Sequence, residues 1–192
     1  MSKIGIDFSG SPALIYSNVD DNVFRTVVTT HDRNREYIIL EELPEDLSIG
    51  DTCRILVLVE PAPQECNGKL KNDLGDTVIA LFKKQVKESR GATRYKVNFT
   101  AFIENMIIEK QIYKLLNPIE VKFINISTTG MRFYAQPDTI AVGDRFQIRV
   151  YINLDVRVMI AQVVNYKLTG PDREEYGCRL LKSAKPTPIK NT

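Results

Sequence analysis

The sequence predicts an all-β protein built as two small β-barrels in tandem. Three observations carry this. Apolar residues recur in short alternating runs, the period of a strand with one face in a core. Glycine-aspartate pairs punctuate those runs. One strand-turn unit occurs twice, once in each half of the chain.

The runs fall in order. Thr26 to Thr30 and Tyr37 to Leu40 flank the polar run His31-Asp32-Arg33-Asn34-Arg35, which reads as a turn with His31 at the surface. Thr52 to Glu60 follows Gly50-Asp51, and Thr77 to Val86 follows Gly75-Asp76. Tyr95 to Ile103 alternates, with Tyr95, Val97, Phe99, Ala101 and Ile103 on one face. Glu104 to Leu116 has roughly helical spacing at Ile107, Ile108, Ile112 and Leu115. It also reads as two strands joined at Glu109-Lys110, which is the expectation here. Val121 to Ile126, Met131 to Ala135, Phe146 to Ile152, Val156 to Tyr166 and Tyr176 to Leu181 complete the series. The acidic run Glu41 to Asp46, broken by Pro44, reads as a solvated loop.

Leu47-Ser48-Ile49-Gly50-Asp51 is echoed by Ile140-Ala141-Val142-Gly143-Asp144, each leading into an apolar strand, and Val78-Ile79-Ala80 is echoed by Met159-Ile160-Ala161. Two barrels of related design, or convergence on common turn chemistry, both account for the echoes. The expected domains are 1–85, an N-terminal barrel, and 86–184, a second barrel, with 185–192 as a flexible tail. The segment from Lys83 to Arg94 between the barrels is polar and basic and reads as a linker.

Composition excludes several functions. A net charge of +2 is too small for bulk attraction to a nucleic-acid polymer or a membrane. His31 is the only histidine, and the three cysteines are scattered, so neither a zinc site nor a Ser-His-Asp arrangement is expected. No P-loop and no G-x-S-x-G elbow occurs. Cys53 and Cys178 sit among apolar residues and read as buried, free thiols. The longest apolar runs fall short of the ~20 residues of a membrane helix. The sequence as given opens without a signal segment, so a cytoplasmic protein is expected. No catalytic group stands out, and neither an enzyme nor a metal or other cofactor is expected.

Two motifs stand out together. Arg90-Gly91-Ala92-Thr93-Arg94 is an R-x-x-x-R just before a strand. Asn125-Ile126-Ser127-Thr128-Thr129-Gly130 is an N-x-S-x-x-G at the end of a strand about one hairpin later. An arginine guanidinium is a planar fork of donors that can make two-point hydrogen bonds or stack on a planar group. Asn125 offers a donor and an acceptor, and Ser127 offers a hydroxyl. Gly130 is expected to take a positive φ, where the backbone turns sharply.

The pair resembles the signature of the PilZ family of cyclic di-GMP receptors, over roughly Val86 to Leu181, about half the chain. Asn125 stands where aspartate is commoner. Gly177 falls where the family carries a glycine in the last strand, and Leu180 where it carries phenylalanine. The resemblance implies that the second domain is a six-stranded barrel. It also implies that Arg90, Arg94, Asn125, Ser127 and Gly130 bind cyclic di-GMP. Ser89, in place of an arginine, implies one ligand per chain. The N-terminal barrel resembles, by position, that of flagellar-brake proteins. The implied function is an effector whose Lys87 to Thr93 arm orders on binding and changes the domain arrangement. It would signal to a protein target such as the flagellar motor or exopolysaccharide machinery, in motility or biofilm control. The alternatives are a degenerate member acting only through protein contacts, and a barrel binding single-stranded nucleic acid. The second would need surface aromatics interleaved with basic residues, whereas Phe99, Phe123 and Phe146 fit core alternation.

Overall fold

Alternating apolar residues do become strands. The computed structural model describes residues 6–17, 23–60, 62–82, 92–152 and 155–181, and among them are strands, turns and no helix. The chain divides into two compact units, residues 1–59 with 63–95, and residues 60–62 with 96–192.

In the first unit, β1 (Ser11–Ser17), β2 (Val23–Asp32), β3 (Tyr37–Leu40), β4 (Thr52–Val57), β5 (Gln64–Asp73) and β6 (Asp76–Phe82) close a barrel in the order β1-β2-β3-β6-β5-β4. Closure leaves no unpaired sheet edge. Ala13, Ile15, Val28, Ile38, Ile55, Val57, Leu70 and Ile79 fill the interior. Leu74 and Gly75, both at positive φ, join β5 to β6 as a two-residue hairpin loop, the geometry that suits strand twist. The strands β1 and β5 escape the sequence pattern. The inward positions of β5 are Cys66, Gly68 and Leu70, too small and mixed to stand out as alternation.

His31 departs from expectation. It lies on β2, opposite Ile38, so it shares the core face, and the turn begins only at Arg33. Its side chain is 2% exposed, stacks on Phe8 at 4.6 Å, and accepts the Phe8 N–H at Nδ1 (3.1 Å). Burial lowers its pKa, against the pull of Asp7. The polar run expected as a surface turn begins with two residues of β2, and the first of them turns inward.

In the second unit, β7 (Tyr95–Lys96), β8 (Thr100–Ile108), β9 (Gln111–Ile126), β10 (Gly130–Ala135), β11 (Arg145–Ile152), β12 (Asp155–Gly170) and β13 (Arg173–Leu180) form one sheet. Six of them complete a circuit, β8-β9-β10-β13-β12-β11, since β11 pairs with β8 and β10 with β9. The short β7 is a seventh strand beside β9. The single strand expected from Tyr95 to Ile103 is broken at 97–99 into β7 and β8. Glu109 and Lys110, both at positive φ, join β8 to β9 as the expected strand turn. The helix-like spacing nearby has a cause. Asn105 pairs with Lys114 but Ile103 with Ile119, so extra residues in β9 disturb its alternation.

Phe123, Phe133, Phe146 and Tyr176 form an aromatic chain through the core, with centroids 5.8–6.0 Å apart from Phe133 outwards, and Phe99 stacks on Phe123 at 4.7 Å. These rings are buried, as core alternation required. All three cysteines are free and buried, and desolvation pushes each thiol up to about 12.

Candidate functional site

The N-x-S-x-x-G motif is the end of β9, a tight turn, and the first residue of β10. Ser127 holds that turn. It is 4% exposed and donates its N–H to the Gly130 carbonyl (2.8 Å). Its Oγ accepts from the N–H groups of Thr129 (3.3 Å) and Gly130 (3.1 Å) and donates to the Gly130 carbonyl (3.1 Å). A hydroxyl has one proton and two lone pairs, so its capacity is taken up here. Ser127 therefore fixes the turn.

Gly130 is needed for a different reason from the expected one. Its φ is not in the left-handed region. A Cβ there would lie 2.5 Å from the Cys178 carbonyl oxygen. The glycine lets β13 approach closely, and the Leu180 N–H then bonds the Thr129 carbonyl at 2.9 Å.

Asn125 pairs across the ladder with Arg132. Met131 and Phe133, on either side of Arg132, are buried, so Arg132 and Asn125 face outward. The half-buried Asn125 side chain has no hydrogen-bond partner among the described residues. Arg94 is exposed and makes no hydrogen bond or ion pair among the described residues. Arg90, Gly91 and most of the Lys87 to Thr93 arm lie outside the described residues, as do Ser89 and the tail.

The same outer face carries polar groups that the sequence motifs do not name. Arg132 Nη1 donates to Glu175 at 2.7 Å, with the guanidinium side chain 40% exposed. Arg179 donates to Gln162 at 2.9 Å. Opposite Arg132 on β13 lies Gly177, and opposite Gly177 on β12 lies Asn165. Of these, only Gly177 drew notice in the sequence. Arg132 and Asn165 belong to no spacing that marks them out. A separate cleft of about 670 Å³, lined by Ile107, Glu109, Gly143 and Arg145 among others, contains none of the five motif residues. Among the described residues no group of three or more His, Cys, Asp or Glu could hold a metal ion, and no helix is long and apolar enough to cross a membrane.

The fold and the turn together define a small β-barrel that presents polar side chains on its outer face at a strand turn. Residues 86–187 match the family model of the PilZ domain, more than half of the sequence, and the chain belongs to the PilZ family. No curated protein matches the sequence. Among solved structures, it is similar to the inhibitor of motility MotI/DgrA of Bacillus subtilis, with 11% identity, a TM-score of 0.37, and coverage of 95% of this chain and 91% of that one. It is also similar to YcgR of Escherichia coli in complex with c-di-GMP, with 13% identity, a TM-score of 0.36, and coverage of 92% and 78%. The MrkH–c-di-GMP complex of K. pneumonia has 13% identity, a TM-score of 0.35, and coverage of 90% and 79%.

Proposed function

We propose that this protein is a cyclic di-GMP receptor that performs no chemistry of its own. The reading rests on one observation. The chain matches the PilZ domain over residues 86–187, and within that match Ser127 and Gly130 hold a hydrogen-bonded turn two residues after Asn125, whose side chain has no partner among the described residues. Arg90 and Arg94 would supply charge-assisted hydrogen bonds to guanine and phosphate. Asn125 would meet a base edge, and Ser127 and Gly130 would hold the turn that presents it.

Chain connectivity supports joint action. The N–H of Val97 bonds the carbonyl of Ile124 at 3.0 Å, and Ile124 precedes Asn125. Arg94 is three residues from Val97, a span of at most about 11 Å even when fully extended.

The ligand is held at one copy per chain and orders the arm from Lys87 to Thr93. Ordering the arm costs conformational entropy, which the arginine contacts must exceed. The ordered arm changes how the domains 1–85 and 86–184 are arranged, and the new arrangement is read by a protein target in motility or biofilm control. The buried free thiols and the nature of the messenger support a cytoplasmic setting.

Calorimetric titration of the full chain with cyclic di-GMP tests the receptor reading. Saturable binding at one ligand per chain is expected, and no binding overturns it. Hydrogen exchange of residues 86–94 with and without ligand tests the mechanism. Equal protection in both states at saturation would sink it and leave the receptor standing.

A further inference from the structure

Two β-bulges flank one row of the second barrel. On β9, Asn125 pairs with Arg132 but Phe123 with Phe133, so Ile124 is an extra residue. On β12, Val163 pairs with Cys178 but Asn165 with Gly177, so Val164 is extra. Both bulges adjoin the cross-strand row Asn125–Arg132–Gly177–Asn165. A bulge re-aims the side chain beside it. Here the β12 bulge gives Asn165 the position opposite Gly177. The topology does not require that bulge, since the matching β5–β6 ladder of the first barrel runs unbroken from Asn67↔Phe82 to Asp73↔Asp76.

Gly177 makes the arrangement possible. A Cβ on Gly177 would lie 2.3 Å from Asn165 Oδ1, so the amide of Asn165 is laid across the bare backbone of β13, one strand from Arg132. Its amide has no hydrogen-bond partner among the described residues, like that of Asn125. Arg132 is oriented by Glu175 through one Nη and keeps its other donors. Three planar hydrogen-bonding groups thus stand over β9, β10 and β13, strands spaced about 4.8 Å apart.

The geometry points to Arg132 and Asn165 as further ligand contacts that extend the site beyond the five motif residues and set its preference for guanine. This rests on the receptor reading above. Arg132 donates to O6 and N7 of a guanine whose edge also meets Asn125, and Asn165 meets the polar groups further along the ligand. Guanine presents two acceptors at that edge, whereas adenine presents a donor in place of O6. A guanidinium fork therefore favours guanine, and a lysine would lack the two-point match.

The test is titration of the full chain and its variants with cyclic di-GMP and, separately, cyclic di-AMP. Arg132→Ala is expected to weaken cyclic di-GMP binding by about tenfold or more and to bring the two affinities closer together. Arg132→Lys is expected to recover affinity in part but not the discrimination. Asn165→Ala weakens binding less. Gly177→Ala, which only displaces the Asn165 amide, is expected to mimic it and to add nothing when the two are combined. All four should melt close to the parent. If Arg132→Ala and Asn165→Ala bind and discriminate as the parent does, while Asn125→Ala loses binding, this extension is wrong and the receptor reading survives. If the parent itself does not bind cyclic di-GMP, both fall.

Discussion

The two barrels have the same strand order and one turn in common, and they differ in what they carry at another turn. Read in chain order, each circuit runs first-second-third-sixth-fifth-fourth. Before the fourth strand of each lies the same device. Gly50 and Gly143 sit at φ 101° and 98°. Asp51 and Asp144 each accept at Oδ2 from the N–H three residues back, both at 2.8 Å. Gly50 and Asp51 bond Leu70 on β5, as Gly143 and Asp144 bond Val163 on β12. The echo of Leu47–Asp51 in Ile140–Asp144 is thus a structural repeat. The second echo is not, since Val78-Ile79-Ala80 lies on the sixth strand of its barrel and Met159-Ile160-Ala161 on the fifth.

Between the second and third strands the barrels part. In the first, Asp32 Oδ1 accepts from the N–H groups of Asn34 (2.8 Å) and Arg35 (3.0 Å), which lowers its pKa. In the second, Ser127 does the corresponding work and leaves Asn125 open beside Arg132. One topology therefore supports an aspartate-held turn in one copy and a candidate site in the other. Function resides in the side chains grafted onto it.

That contrast can be broken most sharply at the arginines. Arg90→Ala or Arg94→Ala is expected to cost about 1.5–3 kcal/mol of cyclic di-GMP binding, at least tenfold in affinity. Arg33→Ala, in the equivalent turn of the first barrel, should change binding little. Calorimetry decides between these outcomes, and parent-like binding by both Arg90→Ala and Arg94→Ala would remove them from the site. Gly130→Val comes next, because its side chain meets the Cys178 carbonyl. It should lose about 1–3 kcal/mol of stability together with ligand affinity, and normal melting with normal binding would show that β13 can move aside.

The shared turn offers a matched pair. Gly50→Ala and Gly143→Ala each place a Cβ in the left-handed region and should each cost about 1–2 kcal/mol. Unequal losses in chemical denaturation would mean that the repeat is geometric but not energetic. Ser127→Ala should cost about 1 kcal/mol and weaken binding through the loosened turn, while Asp32→Ala should leave binding intact.

The smallest effect separates the barrels by pH. Burial holds the His31 pKa below 6.5 in the folded chain. The unfolded chain then binds the proton first as pH falls. The stability from neutral His31 is full above about pH 6.5 and is lost as pH drops through the folded value. Unfolding followed by probes in each barrel should show this loss in the first, and His31→Leu should remove it. An unchanged pH profile in that variant would discard the assignment.

The sequence by itself determined the fold class, the paired glycine-aspartate turns and the two motifs. These rest on local rules: strand period, backbone freedom at glycine, and fixed spacing along the chain. Only the tertiary structure decided the rest, because it depends on which strands become neighbours. Whether His31 faces water or the core follows from its pairing with Ile38 and the ring of Phe8. Gly130 is required by the carbonyl of Cys178, 48 positions further along, and not by its own φ. The row that joins Asn125 to Arg132, Gly177 and Asn165 exists only after β9, β10, β13 and β12 have paired and two bulges have shifted their registers. Pairing between residues distant in sequence leaves no periodic trace along the chain, so that row becomes visible only when the barrel closes.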